Sequence, residues 1–251
     1  MEEVEMSIEE TVKSSVDEEA EFVRETTLDR ELKHLQQIRY SLSPNIYSII
    51  FLADIHSVSF FYSLTCCFAK LSLYSFLAVE LGQNGFFYEA GADRLVQTAQ
   101  FILLPIAVAI QEDLMESLAI IANVKYVAPD GYPHATGFKW IMAIALRMLD
   151  GASSLAINFM LLLQADSVLS LMLNFAALQF LQSIDDMAYS MGKNGYITVK
   201  MEYLFNDGIT NVTMPRKRNL CTNQLDTMGF LGTTAVLVIG WIIVKVRYEG
   251  E

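Results

Sequence analysis

The chain has 251 residues, 53% of them hydrophobic, with a mean hydropathy of +0.34 and a net charge of −12. Apolar residues gathered into long runs, with acidic segments between, suit a polytopic membrane protein better than a soluble domain, which would bury them in one core. The acidic balance argues against nucleic acid as a partner and against general electrostatic docking on anionic lipid.

Residues 1–42 form an acidic tail. Its first 40 residues carry twelve Asp and Glu against five Lys and Arg. The opening part has the composition of a disordered segment. Leu28, Leu32, Leu35 and Ile38 then fall at i, i+4, i+7 and i+10 and make an apolar seam on a helix. That seam lies on the membrane surface or against the chain's own bundle, or else contacts a protein partner or a second copy. Residues 1–10 are acidic where a signal peptide needs a basic end and an apolar block, so targeting is expected to come from the first span.

Ser43-Pro44-Asn45 ends the seam, and a mixed segment follows with Asp54 and His56 inside it. His34, His56 and His134 are far apart in sequence and no second ligand stands at metal spacing, so neither metal nor cofactor is expected. Cys66, Cys67 and Cys221 are an odd set, two of them in an apolar run, and read as inert thiols.

From residue 43 onward the expected architecture is all-α, with about five spans at 58–79, 96–114, 140–163, 167–183 and 228–244. Lys70 interrupts the first span; it either snorkels to the interface or finds a partner, since a lysine at span centre costs about 3 kcal/mol. Pro105 lies within the second span and predicts a kink there. The flank of that span carries Glu112 and Glu116 at i, i+4, which either line a pathway or mark the span's end. Residues 128–136, with two prolines and a glycine, form a loop.

Residues 149–186 organise the chain. Two apolar runs, 149–163 and 167–181, are joined by Gln164-Ala165-Asp166 and stopped by Ile184-Asp185-Asp186. Each is slightly short of the roughly 20 residues that span a bilayer as a helix. A tight helical hairpin follows, which either crosses by recruiting flanking residues or dips in and returns. Arg147 and Asp150, at i, i+3, can pair on one face if the helix crosses, and the small residues 151–154 let another helix approach. In the second arm Ser170, Asn174, Gln182 and Asp185 follow near-helical spacing, and Asn174 requires a hydrogen-bond partner. The Asp185-Asp186 pair either binds a cation through its oxygens or holds the helix end at the water surface.

Residues 187–226 are a polar loop, in which 196–205 could form a short strand pair closed at Asn206-Asp207-Gly208. Asn211-Val-Thr has the glycosylation pattern. With five crossings and a cytosolic amino terminus, the loops holding Lys125, Lys139, Lys193, Lys200 and Arg216-Lys217-Arg218 fall inside. Lys245 and Arg247 fall outside, against the trend, and Asn211 is cytosolic and unmodified.

The run Asn174-Phe-Ala-Ala-Leu-Gln-Phe-Leu-Gln-Ser-Ile-Asp-Asp, followed by Gly-Lys-Asn-Gly-Tyr at 192–196, resembles a signature of uncharacterised multi-span membrane proteins of diatoms and related algae. Residues 147–197, about a fifth of the chain, carry the resemblance, with Leu181 and Tyr189 where Ile and Phe are common in that set. It implies a shared membrane module and no particular activity.

Two functional classes follow. The first is a channel or transporter-like pathway for an ion or small solute, through Lys70, Glu112, Arg147, Asp150, Asn174, Gln182, Asp185 and Asp186. The alternative is a non-catalytic membrane subunit or anchor that recruits partners through the acidic amino-terminal helix. An enzyme is not expected: there is no Gly-rich phosphate loop, clustered His or Cys, or nucleophile elbow.

Overall fold

A computed structural model describes residues 39–83, 93–129, 131–209, 212–217 and 222–249. The chain divides into two units, Met1–Tyr40 and Ser41–Glu251, and the account concerns the second. The Leu28–Ile38 seam, Asn211 and Cys221 lie outside the described residues.

The helices among the described residues are α1 (Ile46–Leu52), α2 (Val58–Gln83), α3 (Arg94–Ala109), α4 (Glu112–Asn123), α5 (Gly137–Gln164), α6 (Val168–Gln182), α7 (Ile184–Lys193), α8 (Val199–Tyr203) and α9 (Thr222–Glu249). Short strands β1 (Arg39–Ser41) and β2 (Thr213–Pro215) add little; beside them the Leu42 amide donates to the Val212 carbonyl at 3.1 Å. The fold is that of an all-α polytopic membrane protein. Four helices are long and apolar enough to cross a bilayer: α2, α5, the run Val168–Lys193 formed by α6 and α7, and Thr227–Arg247 of α9. Counting α3 and α4 as one bent span makes five.

The amphipathicity of α2 explains its place. Ser59, Ser63, Cys67, Lys70 and Tyr74, spaced by three and four, share the buried face, while Phe61, Phe68, Leu73, Phe76 and Val79 point outward. Polar residues face protein and apolar residues face out, the reverse of a soluble helix and the arrangement that hydrocarbon favours.

At 28 residues α5 is about 42 Å long, more than the roughly 30 Å hydrocarbon core. It starts where Thr136 Oγ1 accepts the Lys139 amide, and it turns back at residues 165–167, where Ser167 Oγ accepts the Ser170 amide and caps α6. The first arm is therefore long enough to cross, and the second becomes so when α7 continues it to Lys193. Lys139 reaches the Ala53 carbonyl just ahead of α2, and Gln164 Nε2 donates to Leu81 O at 3.4 Å, so α2 and α5 run parallel and in register. Lys245, near the end of α9, donates to Gln97 at the start of α3 at 2.7 Å. The long elements thus alternate in direction along the chain.

α3 carries Pro105 inside an unbroken helix. A 48° bend follows at Ile110–Gln111, where Gln111 leaves helical geometry (φ −83°, ψ 70°) and turns its side chain to Ser154, which gives its buried amide a partner. Residues 196–205 are not strands: Thr198 caps α8, which runs into a π-turn at Leu204–Gly208. Residues 46–52, the first part of the mixed segment, form the most buried helix described, every residue of α1 lying inside.

Candidate functional site

The site is built around Lys70, which is 1% exposed and is the thirteenth of the 26 residues of α2. Its ammonium lies 2.7 Å from Asp150 Oδ2, 2.7 Å from Asp185 Oδ1 and 3.7 Å from Asp113 Oδ2. Asp150 is the fourteenth of 28 residues in α5, so cation and anion meet at the middle of two parallel spans. Asp185 comes from the first turn of α7 and Asp113 from the first turn of α4, where a helix's positive end favours a carboxylate. Four elements thus converge on one lysine.

A second cation closes the cluster. Arg147 Nε is 2.8 Å from Asp113 Oδ1, and its terminal nitrogen is 2.6 Å from Glu116 Oε2. Arg147 and Asp150 do not pair with each other; each reaches across to another helix. Tyr47 of α1 donates its hydroxyl to Asp150 Oδ2 at 2.7 Å, and its ring lies under the Arg147 guanidinium at 5.8 Å. Burial, and then the neighbouring Asp150 charge, push the Tyr47 phenol well above its ordinary range, which keeps it a donor.

Helix phase and one glycine set this geometry. Arg147, Asp150 and Ser154 recur on one face of α5, and Gly151 stands among them. A Cβ at Gly151 would lie 2.6 Å from the Leu114 backbone nitrogen, so only glycine lets the start of α4 come close enough to deliver Asp113. Beyond Asp150, Ser154 Oγ accepts from Gln182 Nε2 at 2.6 Å and from Gln111 Nε2 at 3.1 Å. Gln179 supports Gln182 at 2.8 Å.

Among the described residues, the three aspartates Asp113, Asp150 and Asp185 meet the two cations Lys70 and Arg147, and Arg147 also holds Glu116, which is engaged elsewhere as well. Oxygens of Asp113, Asp150 and Asp185 lie within 4.8 Å of one another, the spacing of a cation seat, and the Lys70 ammonium stands among them. Buried polar atoms without a partner among the described residues extend along the same interface: Ser63 Oγ on α2, Asp150 Oδ1 and Asn158 Nδ2 on α5. Past Tyr74 the seam meets an apolar cluster of Leu81, Ile157 and Leu178. On the α1 side, a cavity of about 20 Å³, room for about one water, is lined by residues including Asn45, Tyr47, Ser48 and Arg147.

Of the residues singled out in the sequence, Lys70, Arg147, Asp150 and Asp185 meet in the cluster, and Gln182 adjoins it through Ser154. Asp186 is exposed beside the cluster, close enough to feel the charges of Asp113, Lys70 and Arg147 but forming no ion pair with them. Glu112 is exposed on α4, and its neighbours Asp113 and Glu116 take the inward positions. Asn174 is half-buried on α6 and has no hydrogen-bond partner among the described residues. Sequence reasoning missed Asp113 because helical phase does not carry across the break at Gln111. It missed Tyr47 because nothing distinguishes one tyrosine in an apolar segment. The cysteines Cys66 and Cys67 are free thiols.

No family model matches the chain, and no curated protein or solved structure is found similar to it.

Proposed function

We propose that this integral membrane protein carries a cation, in the first instance a proton, along the α2–α5 seam in exchange with the Lys70 ammonium. The observation that supports this reading is a lysine buried at mid-span between three aspartates. Ionisable groups at this depth cost several kcal/mol, and in transmembrane helices they mark ion pathways and proton relays. A proton arriving on Asp185 or Asp150 removes the attraction holding Lys70, whose long side chain can then withdraw and leave the oxygens to another cation. A divalent metal could use the three carboxylates only after that withdrawal, because the ammonium stands where it would sit.

In this reading the α1 side is the open approach and the Leu81, Ile157 and Leu178 cluster is a closed gate. The alternating helices, with lysine- and arginine-bearing loops at one end, support a cytosolic start for α2. Reconstitution into liposomes with an internal pH dye, under an imposed potential, is the test. Proton uptake by the wild type, lost in Asp185→Asn and kept in Asn174→Leu, is the expected result; a wild type no leakier than empty liposomes removes the proposal.

A second reading, the non-catalytic subunit, draws on the fact that both cations are fully engaged by acids on other helices, as in a structural clamp. It predicts no flux, and variants that alter stability alone.

A further inference from the structure

Lys245 sits at the end where positive charge is unexpected, and the structure gives it company. The first turns of α3 and the last turns of α9 enclose an open cleft of about 440 Å³, lined by Arg94, Gln97, Thr98, Phe101, Trp241 and Lys245. Among the described lining residues two are cations and none is an acid. Lys245 Nζ holds Gln97 Oε1 at 2.7 Å and lies 5.1 Å above the Trp241 ring, which fixes the ammonium at the cleft's rim. Below it the Phe101 and Trp241 rings are 5.9 Å apart, and Trp241 Nε1 donates to Gln100 at 3.2 Å. Arg94 opens its helix, and Lys245 is two residues from the end of the apolar run Thr227–Arg247. Cations at the rim, an aromatic floor and a position at the span's end match the headgroup layer of a bilayer.

We propose that this cleft binds the phosphate of an anionic phospholipid between Arg94 and Lys245, with the lipid's chains passing over Phe101 and Trp241. Guanidinium and ammonium both form charge-assisted hydrogen bonds to phosphate oxygens. The net charge of −12 does not oppose this, because a paired-cation site acts within a screening length of about 8 Å rather than through the whole molecule's field.

The test is native mass spectrometry of the full chain in detergent, titrated with phosphatidylglycerol or phosphatidylcholine of the same chains. The expected result is preferential retention of phosphatidylglycerol, weakened roughly tenfold in Arg94→Gln/Lys245→Gln. Retention should persist in the charge-preserving Arg94→Lys/Lys245→Arg chain and in Lys217→Gln, whose lysine is remote from the cleft. Equal retention of the two lipids by the wild type, undiminished binding in the double glutamine variant, or displacement of the lipid by millimolar inorganic phosphate would each overturn it.

Discussion

The ammonium of Lys70 and the Oδ2 of Asp150 lie 2.7 Å apart, each at the centre of its own span and each shielded from solvent. Removing one partner leaves a buried, uncompensated charge, which costs far more than the intact pair contributes. Lys70→Met is therefore expected to lower stability by about 3–5 kcal/mol. Adding Asp150→Asn and Asp185→Asn should recover part of that loss. Equilibrium unfolding in mixed micelles measures both; a triple variant weaker than Lys70→Met would contradict the uncompensated-charge account.

Gly151 faces the backbone of Leu114 at a distance that excludes a methyl group. Gly151→Ala should push α4 outward and cost about 1–3 kcal/mol, with Asp113 drawn away from Arg147. Gly82, whose added Cβ would meet nothing within 4 Å, is the control, and Gly82→Ala should leave the melting temperature unchanged or slightly raised.

Ser154 accepts from two glutamines at once. Ser154→Ala strands both amide donors and should cost about 1–3 kcal/mol, against much less for Ser72→Ala, whose hydroxyl bonds only its own helix on the exposed side. Thermal unfolding of the two variants side by side separates them.

The bend between α3 and α4 lies at Ile110–Gln111, past Pro105 and beyond the end of α3, so Pro105→Ala is expected to leave it in place. Spin labels at the exposed Leu95 and Ile121 would report the same distance with and without the proline. A longer distance in Pro105→Ala would return the bend to the proline.

The predictable pH effect outside the spans is at Asp54. The His56 backbone amide, 3.2 Å away, holds its carboxyl below the ordinary 3.8, helped by the His134 and His56 side chains. A depressed acid stabilises the fold above its unfolded value, and that contribution disappears as pH falls from 3.8 through the folded value. The Asp54 side chain is about half exposed, so solvent screening keeps the effect small. Melting curves of wild type and Asp54→Asn should differ at neutral pH and converge in acid.

The spans were legible because long apolar runs have few alternatives in water or lipid, and Lys70, Arg147, Asp150 and Asp185 stood out for the same reason. Their pairing was not legible. Arg147 and Asp150 are three apart on one helix, which invites a local pair, yet each is engaged by a group more than thirty residues away in sequence. Local spacing cannot rank a neighbour on the same turn against a partner delivered by another helix. Glu112 and Asp113 illustrate the matter on a smaller scale. One residue of phase decides which points inward, and the phase is reset at a break that the nearby proline obscured.

α1 carries a consequence for biogenesis. Tyr47 is synthesised 103 residues before the aspartate it bonds, and α7, which completes the cluster, follows later still. A seven-residue helix cannot persist alone, so this segment must wait outside the bundle until its partners on α2, α5 and α7 have been made. Its docking is then a late step of assembly, and a ribosome-bound chain stalled before residue 185 should leave residues 46–52 open to protease.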